Sequence, residues 1–249
     1  MVTTMQRAPT EERRTTLSLI ASDRVEGTAV YDANGKRIGK VEQLVIDKAG
    51  GRVAYAVLSF GGFLGIGADH YPIPWPMLDY DEQLGGYRVD ITEEQLKKAP
   101  KLQQGDSWEQ ADHRDEEIYG YWEQPAPVQE GQTSSLITSD SVEGMPVYDV
   151  HGKRIGKVER LMIDKLTGQI AYAILSFGGF LGIGKDHYPI PWSMLTYNEK
   201  PDGFQVDITE EELKNAPKIE PGENWEQTTR ARNEDVYDYW EVRYYWIVK

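Results

Sequence analysis

The chain has 249 residues, of which 27% are charged and 39% hydrophobic, with a net charge of −14 and no cysteine. This length allows two compact domains, and the composition is that of a soluble protein. No apolar run approaches the roughly eighteen residues of a membrane span, and the N-terminal stretch lacks the apolar core of a secretory signal. The lack of cysteine excludes disulfides and thiolate chemistry. We expect a cytoplasmic protein without a membrane span.

The negative charge is concentrated between residues 104 and 138, which carry −7 of the net −14. Solubility alone explains a surplus of this kind. Because phosphate backbones repel an acidic surface without a basic cluster, the charge disfavours nucleic-acid binding. We therefore predict that nucleic acid is not a partner.

The chain repeats itself. Residues 22–110 align without a gap onto residues 139–227, with 61 identities in 89 positions. Copies this similar share one fold. The repeat divides the chain into an N-terminal tail (1–21), a first domain (22–103, called copy 1 below), an acidic aromatic tail and linker (104–138), a second domain (139–220, copy 2) and an aromatic C-terminal tail (221–249).

Copy 1 begins with short strands. Residues 28–32 predict a first strand, and the following turn contains Asn34-Gly35, where a positive φ is easily adopted. The β-branched stretch 37–47 predicts a second strand. Residues 52–60 alternate with a period of two and are apolar on both faces, which is typical of a strand in a small closed barrel.

The end of copy 1 combines strands with a short helix. The prolines in residues 70–75 place that strand at an edge or at a corner that closes the barrel. Residues 86–91 predict a last short strand. Thr92 and Gln95 have the spacing of a capping box at the start of a helix, and copy 2 repeats this box with Glu212. The sequence thus predicts a mainly β protein with two tandem small β-barrels, each with a short helix and an acidic aromatic tail.

The two tails, residues 108–123 and 225–241, are acidic but rich in aromatic side chains. Disordered segments are usually depleted of aromatic residues, so we expect both tails to be ordered and packed on a barrel surface. Their spacing also permits a helix with an aromatic stripe. The contact could be with the same copy, the opposite copy or a second chain. The candidate interface residues of the tails are Trp108, Trp122, Trp225 and Trp240.

Three stretches present in both copies, "GKRIGKVE", "LSFGGFLGIG" and "YPIPW", together resemble the PRC-barrel family, over about 80 residues of each copy. This family includes the cytoplasmic domain of the photosynthetic reaction-centre H subunit and the C-terminal domain of a ribosome-maturation factor. The resemblance implies a small six-stranded barrel that serves as a docking module without established catalytic residues. We expect neither the membrane span of the first relative nor the additional N-terminal domain of the second in this protein. We expect the fold to carry over, and neither role with it.

The glycine-rich loop at residues 61–67 could suggest a phosphate site. Phosphate loops lead into a helix and usually supply a lysine with a serine or threonine. Here the loop in copy 1 leads instead to Asp69 and a proline-bearing strand, so we interpret it as a turn. Its tip is apolar in both copies, and burying each such side chain contributes about 1.5–3 kcal/mol. The tip could cover its own barrel, pack between copies or chains, or contact a membrane or another protein. These candidate interface residues are Phe63, Leu64, Ile66, Phe180, Leu181 and Ile183.

Two histidines, His70 and His187, follow Asp69 and Asp186 and could be taken for metal ligands. Adjacent residues of a strand point to opposite faces, so one copy cannot offer both side chains to one ion. The paired carboxylates at 93–94 lie in the first turn of a helix, where the helix dipole explains them. We therefore predict no enzyme activity, no cofactor and no metal site.

The function that the sequence favours is that of a non-catalytic interaction or scaffold protein, which binds a protein partner or associates with itself. The alternative is a small-molecule or ion-binding barrel, in a stress-related role, with a cavity near His70 and His187. Filled barrels would favour the first hypothesis, and a cleft lined by convergent polar side chains would favour the second.

Overall fold

In a computed structural model the protein forms two similar, mainly β units. The structure describes residues 19–60, 69–101, 115–125, 136–177, 186–220, 222–227 and 230–246. In the N-terminal half the strands are β1 (Leu19–Ala21), β2 (Ala29–Tyr31), β3 (Arg37–Asp47), β4 (Arg52–Phe60), β5 (Asp69–Pro74), β6 (Asp79–Asp81) and β7 (Gly86–Arg88). The helices are α1 (Ser22–Val25), α2 (Glu93–Lys98) and α3 (Asp115–Tyr121), with a 3-10 turn η1 (Trp75–Met77).

The C-terminal half repeats this order. Its strands are β8 (Leu136–Thr138), β9 (Pro146–Tyr148), β10 (Arg154–Asp164), β11 (Ile170–Phe177), β12 (Asp186–Pro191), β13 (Thr196–Glu199) and β14 (Asp202–Gln205). Its helices are α4 (Ser139–Val142), α5 (Glu210–Asn215) and α6 (Arg230–Tyr239), with 3-10 turns η2 (Trp192–Met194) and η3 (Trp225–Gln227).

The two sheets have the same topology, in the order β5-β4-β3-β2-β7-β6 and β12-β11-β10-β9-β14-β13. Neighbours are antiparallel except for the parallel pairs β2–β7 and β9–β14. Among the described strands no ladder joins β5 to β6. These end strands follow one another in the chain through η1, so the two ends of the sheet must lie close together. Each sheet therefore curves round an apolar core. The predicted fold class, mainly β with two tandem units of the same fold, is confirmed.

The long central hairpin forms as the sequence predicts. β3 and β4 span residues 37–47 and 52–60, and β4 is buried on both faces, with Tyr55 and Leu58 fully inaccessible. Register shifts between Val41 and Gln43 and between Val45 and Ile46 mark bulges in β3. Bulges bend a strand and increase its twist, which allows so small a sheet to curl round its core.

The capping boxes are also confirmed. The Gln95 N–H donates to Thr92 Oγ1 at 3.2 Å, and the Thr92 N–H donates to Gln95 Oε1 at 2.8 Å. Thr209 and Glu212 repeat both bonds in copy 2, at 3.3 and 2.7 Å. Each box satisfies backbone donors that the first turn of a helix leaves without intrahelical partners.

The first strand of each half pairs with the sheet of the other half. β1 is antiparallel to the end of β10, and β8 is antiparallel to the end of β3. Both strands lie just outside the predicted domain bounds, β1 in the N-terminal tail and β8 in the linker. The two units therefore exchange strands reciprocally.

Candidate interaction surface between the two copies

The two exchanged strands and the short helices that follow them form the core of the contact between the copies. We call these parts, residues 19–25 and 136–142, the crossing segments. In the ladder Ile20 lies opposite Ile163, and Ile137 lies opposite Ile46. All the side chains of β1 and β8 are buried. Each crossing strand thus contributes both backbone hydrogen bonds and apolar area to the opposite unit.

A buried serine directly follows each crossing strand and begins the short helix after it. Ser22 Oγ accepts a hydrogen bond from the Leu161 N–H at 3.1 Å and donates one to the Glu143 carboxylate. Both partners belong to copy 2. The side chain of Ser22 therefore satisfies a backbone donor and a carboxylate of the opposite unit at once.

Ser139 repeats the arrangement in the other direction. Its Oγ accepts from the Leu44 N–H at 3.3 Å and donates to the Glu26 carboxylate, both in copy 1. The contact is therefore pseudo-two-fold, with equivalent residues 117 positions apart.

The glutamates in this contact are electrostatically unfavourable. Burial, chiefly, raises the pKa of the Glu26 carboxyl above its ordinary value, and nearby Glu143, Asp140 and Asp23 raise it further. The serine hydrogen bond opposes this shift only in part. Burial likewise raises the pKa of Glu143, again against the hydrogen bond from Ser22. Both carboxylates hold their protons more tightly in the folded chain than in the unfolded chain.

Longer polar side chains flank each crossing segment. Gln43 Nε2 donates to Asp140 Oδ1 at 2.8 Å, and the equivalent Arg160 lies 3.8 Å from Asp23. Gln43 and Arg160 differ in chemistry, yet each contacts the equivalent aspartate of the opposite crossing segment. These exposed contacts orient the segments more than they stabilise them.

A second region of the contact joins the β3–β4 turn to the β10–β11 turn. The Val53 N–H donates to the Gly168 carbonyl at 2.9 Å, and the Ile170 N–H donates to the Gly51 carbonyl at 2.8 Å. Gln169 Nε2 adds a bond to the Gly51 carbonyl at 2.7 Å. The two turns therefore bind through backbone groups, in the same reciprocal manner as the crossing strands.

A tryptophan of the opposite copy packs against each of these turns, Trp192 on Gly51 and Trp75 on Gly168. The backbone φ is +62° at Gly51 and +70° at Gly168. A Cβ atom at Gly51 would lie 2.1 Å from Cδ1 of Trp192, and one at Gly168 would lie 2.5 Å from Cδ1 of Trp75. Glycine is required here both by the left-handed backbone and by the packing of an indole from the opposite copy.

Lysines complete this region. Lys48 Nζ lies 3.9 Å from the centre of the Tyr197 ring, and Lys165 Nζ lies 4.3 Å from the centre of the Tyr80 ring. Each lysine thus makes a cation–π contact with the other copy. Trp192 Nε1 also donates to the Lys48 carbonyl at 3.2 Å.

The described part of the tail that follows copy 1, residues 115–125, packs on copy 1. Trp122 is 5% exposed, and its Nε1 donates to the Pro72 carbonyl of β5 at 3.1 Å. The Tyr119 hydroxyl donates to the Ala54 carbonyl at 3.0 Å, and the Tyr121 hydroxyl donates to the Gln95 carbonyl at 2.6 Å. Helix α3 is therefore fixed to its own unit by three aromatic side chains.

The tail that follows copy 2 makes the matching contacts. The Tyr237 hydroxyl donates to the Ala171 carbonyl at 2.8 Å, and the Tyr239 hydroxyl donates to the Glu212 carbonyl at 2.6 Å. Trp240 is 9% exposed, and Trp225 is 4% exposed with its ring 5.8 Å from that of Tyr172. The question that the sequence left open is answered for these described residues, because both helices pack on the copy that precedes them.

One residue of the second tail also reaches the crossing strand β1. Glu226 Oε1 accepts from the Ala21 N–H at 3.0 Å, and the same carboxylate pairs with Arg24. β1 therefore lies between β10 on one side and η3 on the other. The Glu226 side chain thus provides a hydrogen-bond partner for a backbone N–H at the edge of β1 that faces away from β10.

A groove of about 260 Å³ lies at one end of copy 2. Its apolar wall includes Ile155, Phe177, Tyr188 and Leu213, and Asp149, Asp186, Asp207 and Glu210 contribute carboxylates. Val150 on its rim is 49% exposed. Asp186 also pairs with Lys218, at 2.6 Å. Asp186 and Tyr188, the neighbours of His187 in the chain, line this groove, whereas His187 is not among its lining residues.

The structure separates the candidate interface residues into two groups. Trp122, Trp225 and Trp240 are buried in contacts within the chain. The remaining candidates lie outside the described residues: Phe63, Leu64, Ile66, Trp108, Phe180, Leu181 and Ile183.

The histidine strands make other contacts. Asp69, beside His70, pairs with Lys101 at 2.6 Å, and the His187 carbonyl accepts from the Ile219 N–H at 2.9 Å. Within the described ranges no group of three or more His, Cys, Asp or Glu side chains is placed to hold a metal ion. No helix among those described is both long and apolar enough to cross a membrane.

The serine–glutamate pairs are contact residues that the sequence analysis did not identify. A signal was present, since "LIASDRVEG" at 19–27 and "LITSDSVEG" at 136–144 are nearly the same. Nothing in such a pattern states that its partners belong to the other copy.

Comparison with known protein families gives one match, to the model described as "PRC-barrel domain", at residues 19–96 and 136–213. Both matches begin at the crossing strand of their copy. No curated protein matches the chain.

Proposed function

Since the chain belongs to the PRC-barrel family, with two domains in tandem, we propose that it is a non-catalytic protein-interaction or scaffold protein. The observation that carries this proposal is the reciprocal contact between the copies. Each domain binds a second domain through strand addition, a buried serine–glutamate pair and glycine turns that receive an indole. Strand addition is a common way for one protein segment to bind another.

The packed interior supports the same proposal. The cores contain large, fully buried side chains such as Trp75, Tyr87, Tyr172 and Phe204. Aromatic pairs fill the equivalent space in both units, with ring centres 5.3 Å apart for Trp75–Tyr87 and 5.2 Å apart for Trp192–Phe204. Filled interiors favour a protein that acts through its surface.

The second candidate function is small-molecule or ion binding, and the groove of copy 2 favours it. Its wall combines apolar side chains with four carboxylates and two lysines, Lys153 and Lys214. This surplus of negative charge suits a ligand with an apolar body and a cationic group. The equivalent positions of copy 1 differ at two of the lining residues, where Ala33 and Asn34 replace Val150 and His151. A ligand of this groove would therefore distinguish the two copies.

The test compares two full-length proteins as baits in cross-linking and affinity capture from the native host. One is the wild-type chain, and the other carries serine in place of the six apolar tip residues of the glycine loops. We expect a defined protein to be enriched by the wild type and lost with the variant, and the melting temperatures of both proteins serve as the control for folding. If no protein is enriched, and Ile155→Glu abolishes a thermal shift caused by a cationic small molecule, the second function replaces the first.

A further inference from the structure

Resting on the proposed function, we propose that a second copy of this chain is a partner, bound by the same strand exchange that joins the two halves of one chain. In this assembly a crossing segment of one chain pairs with the receiving strand of another chain. The receiving strands are β3 and β10.

The two receiving strands offer nearly the same surface. Over residues 37–47 and 154–164 they differ only at Gln43/Arg160 and Val45/Met162. The first pair of residues meets equivalent aspartates, Asp140 and Asp23. The second pair consists of two apolar, buried side chains. A crossing segment therefore finds matching partners on either strand.

The two crossing segments are nearly interchangeable as well. They differ only at Ala21/Thr138 and Arg24/Ser141. The serine that follows each strand bonds to a backbone N–H and to a glutamate, and both groups are present in each copy. Backbone and shared side chains thus make the contact, and the described contacts contain no feature that rejects a segment from another chain.

The linker between the two halves determines whether the crossing segments pair within one chain or between two chains. Residues 126–135 connect copy 1 and its tail to β8, and a short linker gives its two ends an effective concentration in the millimolar range. At low protein concentration the segments therefore pair within one chain. When other chains are present at comparable local concentration, pairing between chains becomes competitive. Because the exchange is reciprocal, two chains can close on each other with every receiving strand filled.

The absence of cysteine permits a direct test in the full-length protein. Ala21 and Met162 are register partners, one on β1 and one on β10. A chain with Ala21→Cys is mixed in denaturant with a chain carrying Met162→Cys, refolded at micromolar or near-millimolar concentration, and oxidised. We expect a disulfide-linked dimer whose yield rises with concentration. Lengthening the linker with a flexible insert should raise the yield further, because the effective concentration falls.

Two controls make each outcome decisive. The single chain with both Ala21→Cys and Met162→Cys should cross-link internally, and a chain with Glu199→Cys should not cross-link to the Ala21→Cys chain. Light scattering of refolded wild-type protein reports the same dimer without any substitution. Monomer at every concentration overturns the inference, as does equal cross-linking by the Glu199→Cys control. If the doubly substituted chain fails to cross-link, β1 does not pair with β10 and the inference falls with that ladder.

This test is separate from that of the proposed function. A chain that stays monomeric but captures a different protein overturns the inference and leaves the proposed function standing. A chain that dimerises by exchange but captures nothing else supports the inference and restricts the function to self-association.

Discussion

Ser22 and Ser139, 117 positions apart in the chain, occupy equivalent positions in one contact, and each donates its hydroxyl hydrogen to a glutamate of the opposite copy. Each hydroxyl oxygen also accepts from a buried backbone N–H, of Leu161 or of Leu44. The hydrogen bonds of the Ser22 and Ser139 hydroxyls therefore cross the boundary between the domains. This makes the serines sensitive probes of that boundary.

Replacement of Ser22 by alanine should lower the free energy of unfolding by about 1–3 kcal/mol, because a buried backbone donor and a half-buried carboxylate lose their partner. Ser139→Ala should have the same effect at the equivalent place. Ser141→Ala is the matched control, since that side chain is exposed and its hydroxyl accepts from Thr138 of its own segment, not from the opposite copy. Urea denaturation of the three variants measures the difference. Equal stability of all three would show that the crossing contact is not formed in solution.

Replacement of Glu26 and Glu143 by glutamine should change how stability depends on pH. Both carboxyls have a pKa in the folded chain above the ordinary 4.5. Their contribution to stability is therefore fully present below that ordinary value and is lost as pH rises through the folded-state pKa. Glutamine stays neutral and keeps an oxygen to accept from the serine. At neutral pH we therefore expect the double variant to melt at a higher temperature than the wild type, and we expect this difference to disappear in mild acid.

The measurement for this prediction is the difference in melting temperature between wild type and double variant from mild acid to neutral pH. Carboxyls such as Asp69, whose pKa is lowered by the hydrogen bond from Lys101, change the stability in the opposite direction with pH. They are present in both proteins, so their effect cancels in the difference. Glu116→Gln, on the exposed face of α3, is the control and should give a flat difference. A difference that is also flat for the double variant would contradict the prediction.

Alanine at Gly51 or Gly168 should destabilise the protein by more than the backbone strain alone. Both residues have positive φ, and a Cβ would overlap an indole of the opposite copy. Gly27, with φ of +81° and open space around its Cβ position, provides the matched control. We expect Gly27→Ala to cost about 1–2 kcal/mol and each of the other two clearly more. Equal losses for all three in thermal melts would indicate that the indoles do not pack on these turns.

The tail tryptophans should contribute like core residues. Trp122→Ala and Trp240→Ala are each expected to cost about 3–5 kcal/mol. The loss at Trp122 should be the larger, because its Nε1 donates to the Pro72 carbonyl, whereas Trp240 Nε1 has no hydrogen-bond partner among the described residues. Denaturation of the two variants, with Tyr121→Phe as a mild control, measures both. Wild-type melting of the double variant would show that the tails do not support the fold.

Nucleic acid should not bind. The net charge of −14 opposes contact with phosphate backbones, and the sequence has no basic run. We expect no change in fluorescence anisotropy of labelled RNA or duplex DNA at physiological salt. Saturable binding under those conditions would contradict the prediction.

Local features of the fold were predictable because their causes are local. The alternating residues of β4 and the Thr92–Gln95 capping box each depend on neighbours a few positions away, so the sequence states them directly. β6, which was not predicted, is only three residues long and carries two aspartates, a composition that disfavours strands. Its position is determined by pairing with β7.

The candidate site was less predictable because its partners are distant in sequence. Leu19–Ala21 and Leu136–Thr138 are too short to show a period, and each obtains its ladder partner from the other copy. The buried tryptophans of the tails were recognisable from composition, since aromatic side chains in an acidic segment need a surface to cover. Which surface they cover depends on the path of the chain, which composition does not contain.

The crossing of β1 and β8 has a consequence for synthesis on the ribosome. The last residues of β3 pair with β4 on one side and with β8 on the other. β3 ends at residue 47 and β8 begins at residue 136, so 88 residues lie between them. β1 is the first of the described strands to be synthesised, and it cannot pair until its partner β10, the tenth strand, has been synthesised. Neither domain can be finished while translation is still in the first half of the message. A prematurely terminated chain would therefore keep an open strand edge, the kind of edge from which aggregation starts.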